Sequence, residues 1–88
     1  MQDHYSLLQT IYEIVKNDPQ PEKYPCRPRE LILRSLQEWS DIQQNLKLLE
    51  AEELVATEQQ DTLVIRISSK GILLVKQQQT AARQNSQP

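Results

Sequence analysis

Four of the five prolines of this chain fall within residues 18–28, DPQPEKYPCRP, and that cluster constrains everything on either side. Proline locks φ, removes an N–H donor and pushes the residue before it out of helical geometry. A helix entering from the N-terminal side must therefore end near Asn17-Asp18-Pro19. A helix leaving on the other side can open at Pro28, where the missing N–H costs nothing. The connector itself is not helical; it reads as extended chain, pairing as a short edge strand near Tyr24.

On those terms residues 3–17 form an amphipathic helix. Tyr5, Leu8, Ile11, Tyr12 and Val15 recur at spacings of three and four, and Asp3 is placed to cap it. After the connector, PRELILRSLQEW carries Leu31, Ile32, Leu36 and Trp39 at helical spacing. Ser40-Asp41 interrupts this run and either residue can cap a third helix, about 41–53. Taking Ile42 as the core direction at 100° per residue, Leu46, Leu49 and Glu53 lie within about 40° of it.

Beyond Leu54 the period changes. Leu54–Thr57 and Thr62–Ile67 are β-prone runs flanking the polar loop Glu58-Gln59-Gln60-Asp61, which predicts a hairpin. In the second run Leu63, Ile65 and Ile67 alternate against Val64 and Arg66. Ser68-Ser69 caps a last helix whose apolar side is Ile72, Leu73, Leu74 and Val75. The end, QQQTAARQNSQP, is polar and glutamine-rich. The expected architecture is mainly α with a β-hairpin, in the order α-α-α-β-β-α. It forms one domain over 1–78, followed by a flexible tail over 79–88.

Composition narrows the chemistry. With one histidine (His4) and one cysteine (Cys26) there is no internal disulfide and no His/Cys metal site. His4 sits near an end expected to fray, which leaves no base to activate a nucleophile, so neither an enzyme nor a cofactor is expected. Arg27 beside Cys26 could lower the thiol pKa, although a lone cysteine in a connector reads as inert. No apolar run approaches the ~18 residues that cross a bilayer, and the first residues lack the pattern of a signal peptide. The expectation is a cytoplasmic protein without a membrane segment.

Charge is distributed unevenly. Residues 1–37 balance five acids with five bases, residues 38–61 hold seven acids against Lys47 alone, and residues 62–88 hold four bases and no acid. The middle of the chain therefore carries about -6 and the C-terminal part +4.

The element order, together with SDIQQNLKLLEAEELVATE and RISSKG, resembles the winged helix-turn-helix superfamily found in many bacterial and archaeal transcription regulators. The resemblance covers about residues 28–76. One part is Ser40, the apolar Ile42, Leu46 and Leu49, and an acidic stretch running into Leu54-Val55. The other is Ile67-Ser68-Ser69-Lys70-Gly71, similar to the signature where the second wing strand meets the closing helix. Many members place glycine just before the Leu-Val pair. Here Glu53 stands there, so either the helix ends differently or Glu53 is strained.

The resemblance implies a regulator whose third helix enters the major groove of double-stranded DNA. Ser40, Gln44, Lys47, Leu48 and Ala51 lie within about 60° of the direction opposite the core, with Gln43 at the shoulder. Gln43 and Gln44 suit adenine, Lys47 a guanine or phosphate, Ser40 and the helix start a phosphate, and Arg66 a backbone phosphate or the minor groove. The acidic middle opposes this, leaving Arg27, Arg29, Arg34, Arg66, Lys70 and Lys76 to supply a thin cationic footprint. The alternative is a protein-interaction module or homodimeric adaptor that uses Leu48, Ala51 and Glu52. A homodimer is expected in either case. Family members dimerise through their first and last helices, and Leu7, Ile11, Ile14, Leu73 and Leu74 are the candidate contacts.

Overall fold

A computed structural model of the chain describes residues 4–86, with side chains through residue 79. The elements are α1 (His4–Val15), a single 3-10 turn (Pro21–Lys23), α2 (Pro28–Ser35), α3 (Trp39–Ala51), β1 (Val55–Gln59), β2 (Leu63–Ile67) and α4 (Ser69–Ser86). This is the expected α-α-α-β-β-α order, with the two strands antiparallel and Thr57 opposite Ile65 at their centre. It is a winged helix-like α+β fold.

The connector departs from a purely extended path. Proline is tolerated in the first turn of a helix, and Pro21 opens the short 3-10 turn there. Pairing to the sheet does occur, but at Cys26 instead of Tyr24. The Cys26 N–H donates to the Ile65 carbonyl, and the Ile65 N–H donates to that of Cys26, both at 2.9 Å. The Tyr24 N–H is already spent on the Pro21 carbonyl at 3.2 Å and Pro25 has none, so Cys26 is the first residue with an N–H to give. The connector is thereby stitched to β2, and Val64 is buried although the alternation expected it outside.

The second helix is shorter than its apolar spacing predicts. Leu36 turns left-handed at φ 58°, its N–H closing on the Ile32 carbonyl at 3.0 Å, and α2 stops at Ser35. Leu31 is therefore the one residue of the expected quartet in the core. Leu36 is 89% exposed, Ile32 is at the surface, and Trp39 is half-buried at the start of α3. The third helix begins there, with Glu38 as its flanking residue and no side-chain cap, so Ser40 lies inside the first turn and does not cap it.

Leu7, Leu8, Ile11 and Val15 of α1 meet Leu31, Ile42, Leu46 and Leu49 in one core, closed by Leu54, Val55, Ile65, Ile67 and Val75. The exit from α3 is a Schellman turn. The Leu54 N–H donates to the Leu49 carbonyl at 2.9 Å, and the Glu53 N–H donates to that of Glu50 at 3.0 Å. Of the two alternatives raised by Glu53, the second holds: the helix ends as it would before a glycine, with Glu53 in that place. The helix ends two residues before it, and Glu53 occupies the glycine-like conformation at φ 63°. A left-handed residue with a Cβ costs about 1–2 kcal/mol.

The Ser68 hydroxyl accepts from the Gly71 N–H at 3.0 Å, so Ser68 caps α4 as expected. The helix continues to Ser86, well into the segment expected as a flexible tail. The side chains of residues 80–86, and residues 87–88 altogether, lie outside the described part, as does the proposed cap Asp3.

Two substitutions test this frame. A Cβ on Gly71 would stand 2.3 Å from the Leu54 carbonyl oxygen and 2.9 Å from Ile67 Cγ1. Gly71→Ala should cost about 1–3 kcal/mol in urea unfolding, because backbone must move to admit the methyl. Glu53→Gly should act the other way and raise stability by about 0.5–1 kcal/mol, with unchanged circular dichroism. A Glu53→Gly chain no more stable than wild type would show that the left-handed turn is not strained.

Candidate nucleic-acid interface

The core claims one side of α3 through Ile42, Leu46 and Leu49, and the rest of that helix is left to solvent. Ser40, Gln43, Gln44, Lys47, Leu48 and Ala51 are all exposed. The side chains proposed to read bases thus stand on one accessible helix surface. Lys47 makes no hydrogen bond or ion pair among the described residues. Beside them, a shallow groove of about 170 Å³ runs between α3 and the hairpin, lined by Gln43, Leu46, Lys47, Glu50, Thr57 and Leu63. Glu50 is held across it, accepting from the Thr57 hydroxyl at 3.1 Å.

The wing is present, but its cation is already engaged. Arg66 donates through Nη1 to Glu58 Oε1 at 2.9 Å, a cross-strand pair on the exposed face of the hairpin. Arg66 first, then the Gln60 amide, hold the Glu58 carboxyl below its ordinary range. Arg27 reaches the far end of the wing, where it donates to the Thr62 hydroxyl at 2.8 Å. Burial in the first place, and the Glu30 carboxylate in the second, push the Cys26 thiol up to about 12. The thiol stays protonated near neutrality, and the redox-sensor possibility is removed.

At the other end of α3 the structure corrects one expectation, that of a frayed His4. Glu52, with 42% of its side chain exposed, is tied to the first helix. It accepts a 2.7 Å bond from the Tyr5 hydroxyl, and its Oε2 is 2.6 Å from His4 Nε2. His4 is accordingly anchored to α3 and is not part of a frayed end. The Tyr5 hydroxyl first, and His4 second, lower the Glu52 carboxyl from its ordinary value of 4.5. Sequence reasoning missed this cluster because its members are 47 and 48 residues apart.

The expected dimer contacts are also redistributed. Leu7 is 1% exposed and Ile11 is 0% exposed, both consumed by the core of their own chain, so neither can meet a partner. Ile14 and Leu74 are half-buried against that core, and of the five only Leu73 is substantially exposed. The broad apolar stripe of α1 has an internal explanation: α2, α3, α4 and β2 all pack on it.

No protein-family model matches the chain. No curated protein matches it either. Among solved structures, a chain of Bordetella bronchiseptica BpsR, a protein whose DNA binding is regulated by 6-hydroxynicotinic acid, is similar in fold. The likeness has a TM-score of 0.71 at 13% identity and covers 92% of this chain. This chain spans 54% of the length of that one. Among the described residues no helix is long and apolar enough to cross a membrane, and no group of three or more potential metal ligands occurs.

The Glu52 cluster has a pH signature. A carboxyl whose pKa is lowered by folding contributes stability that is present above its unfolded value and lost as pH falls through the folded one. Glu52→Gln should therefore be less stable than wild type near neutrality. The gap should close as pH falls below the ordinary 4.5. Urea unfolding from about pH 7 down to about pH 3 measures it, and a gap independent of pH would rule out the charged carboxyl as the source.

Proposed function

We propose that this chain is a small DNA-binding regulator acting in the cytoplasm, one that sets the outward face of α3 into the major groove of a duplex. Gln43 and Gln44 have the amides that pair with adenine edges, and Lys47 can meet a guanine or a phosphate. Ser40 lies in the first turn of α3, where free N–H groups favour a phosphate oxygen. Arg66 on the wing meets the backbone once released from Glu58. The observation that carries this reading is the joint exposure of Gln43, Gln44 and Lys47 on the face of α3 opposite its core side. BpsR, a DNA-binding protein, has a similar fold, which supports the reading without supplying a sequence match.

The second reading is a protein-interaction module, favoured by Leu48, which is 50% exposed at the edge of the same face beside the exposed Ala51. Salt separates the two. With two or three phosphate contacts, DNA affinity should fall roughly ten- to fortyfold between about 50 and 200 mM salt, whereas an apolar contact should change little.

Fluorescence anisotropy with a mixed-sequence duplex tests the first reading. Lys47→Glu should abolish the binding seen at low salt, and Leu48→Asp should leave most of it in place. Glu58→Gln should strengthen it several-fold and steepen the salt dependence by about 0.9, since it frees Arg66 for one more phosphate. Absence of any anisotropy change at low salt and roughly 0.1 mM protein would exclude even non-specific duplex binding.

A further inference from the structure

The hairpin has one cation of its own, Arg66, and that cation is engaged by Glu58. A second arginine reaches the wing from outside it. Arg27, at the end of the connector, donates through Nη1 to the Thr62 hydroxyl at 2.8 Å, across 35 residues of sequence. Thr62 lies in the hairpin turn. Leu63, the next residue, lines the groove that Gln43 and Lys47 of α3 border from the other side. The Arg27 guanidinium is thereby brought to the wing beside the groove that the duplex reading uses.

Both ends of that bond are fixed through the backbone. Cys26, one residue earlier, exchanges two hydrogen bonds of 2.9 Å with Ile65 of β2. The Arg27 N–H donates to Glu30 Oε1 at 3.2 Å. Its carbonyl accepts from the Glu30 and Leu31 N–H groups at 3.0 and 3.3 Å, where α2 opens. On the wing, the Thr62 carbonyl accepts from the Gln60 N–H at 3.1 Å and closes the turn. An arginine side chain ordinarily loses much rotamer freedom when it makes a contact, and that loss weakens the contact. Here the ordering precedes any partner.

The charge is nevertheless uncommitted. Thr62 is a neutral acceptor, and Arg27 makes no ion pair among the described residues. The bond is exposed to solvent, which leaves the rest of the guanidinium fork open to an incoming anion. The neighbouring acids do not claim it. Glu30 accepts from the Arg27 backbone N–H and the Tyr24 hydroxyl. Asp61, beside Thr62, is exposed and forms no ion pair among the described residues. Arg66, by contrast, must leave a 2.9 Å ion pair before it can meet a phosphate. A planar fork with its charge free suits two oxygens of one phosphate.

We propose that Arg27 is the preformed phosphate contact of the wing, a guanidinium set in place by Thr62 to hold the backbone of a duplex whose major groove receives α3. The inference rests on the duplex reading above and adds to it a residue supplied by the connector. Arg27 fixes the wing against the backbone without breaking an ion pair, and Arg66 adds to it only when Glu58 gives way. Thr62 is a positioning residue, since it orients the fork and does not itself touch the phosphate. A contact of this kind sets register and orientation and carries no base information, so its effect is the same for every duplex sequence.

The test is fluorescence anisotropy of the full chain with a mixed-sequence duplex between about 50 and 200 mM salt, reading affinity and its logarithmic slope against salt separately. Arg27→Gln should lower the slope by about 0.9, the share of one phosphate, and weaken binding at low salt several-fold. Arg27→Lys should keep the wild-type slope, because the ammonium retains the charge. Thr62→Val should keep the slope as well but weaken binding roughly three- to tenfold, since the arginine must then be ordered on binding. Thr62 is exposed, so circular dichroism of that variant should match wild type. A role for Arg27 confined to bracing the connector on the wing would lower affinity in Arg27→Gln and leave the slope unchanged, and that result overturns the proposal. Wild-type affinity in Thr62→Val overturns it too. If wild type binds and Arg27→Gln keeps its slope, this proposal fails alone. If wild type does not bind at about 0.1 mM protein, the duplex reading fails and takes the proposal with it.

Discussion

The carbonyl of Leu54 is the point on which the rest of this structure depends. Its oxygen accepts from the Ser68 N–H at 3.0 Å, and the Cα of Gly71 packs against it so closely that a Cβ would collide. One residue earlier, the Glu53 carbonyl accepts from the Ser68 hydroxyl at 2.7 Å, and the same hydroxyl accepts from the Gly71 N–H. The end of α3, both ends of the hairpin and the start of α4 therefore meet within a few residues. The angle at which α3 leaves the core, and with it the surface α3 shows to solvent, follows from this corner. The left-handed Glu53 is tolerated because Leu49 and Leu54, on either side of the turn, are both buried.

That surface is chemically mixed for a simple reason. The core takes its aliphatic residues from one side of α3, and the acids of the middle segment are distributed over what remains. Two of them are held in place by local bonds that leave their charge intact: Glu52 by Tyr5 and His4, and Glu50 by Thr57. A third, Glu58, is paired with the cation of Arg66 on the wing. The repulsion that a count of charges would assign to an approaching phosphate is therefore lower at Glu58 than the count implies. The same bonds also occupy Arg66, which a count would credit to the footprint. Polar readers, one lysine and an exposed leucine remain on a single helix. Duplex reading and protein contact consequently draw on overlapping residues, and Leu48 at the edge of the face is the residue that separates them.

The short second helix shows how a local backbone choice redistributes function. A continuous helix through Trp39 would have set Leu36 one turn beyond Ile32, on the same side of the helix. Instead Leu36 adopts a left-handed conformation, the helix stops, and the chain enters α3 three residues later. The apolar residues that spacing assigned to the core become surface, on the element next to α3 in sequence and in contact with it. In the opposite direction, the apolar excess of α1 that looked available for a partner is absorbed by the neighbouring helices, β2 and the 3-10 turn.

The amino-acid sequence by itself determined the order of the elements and most of the core. Proline placement, the change from a period near four to a period of two after Leu54, and the Ser68–Gly71 cap are local signals that depend only on neighbouring residues. It also determined which polar side chains share the outer face of α3, because a helix wheel needs no tertiary information once its core side is known. Tertiary structure alone decided which apolar residues are spare, since burial depends on what packs from a distance. Leu7 and Leu36 exchanged their expected roles on that account. It also decided the bonds of Glu52 to His4 and Tyr5 and of Arg27 to Thr62, contacts between residues 35 to 48 positions apart that no short-range pattern encodes. The electrostatic character of the candidate interface was legible as a total charge. Its distribution was not, because each pairing is a matter of side-chain reach across separate elements.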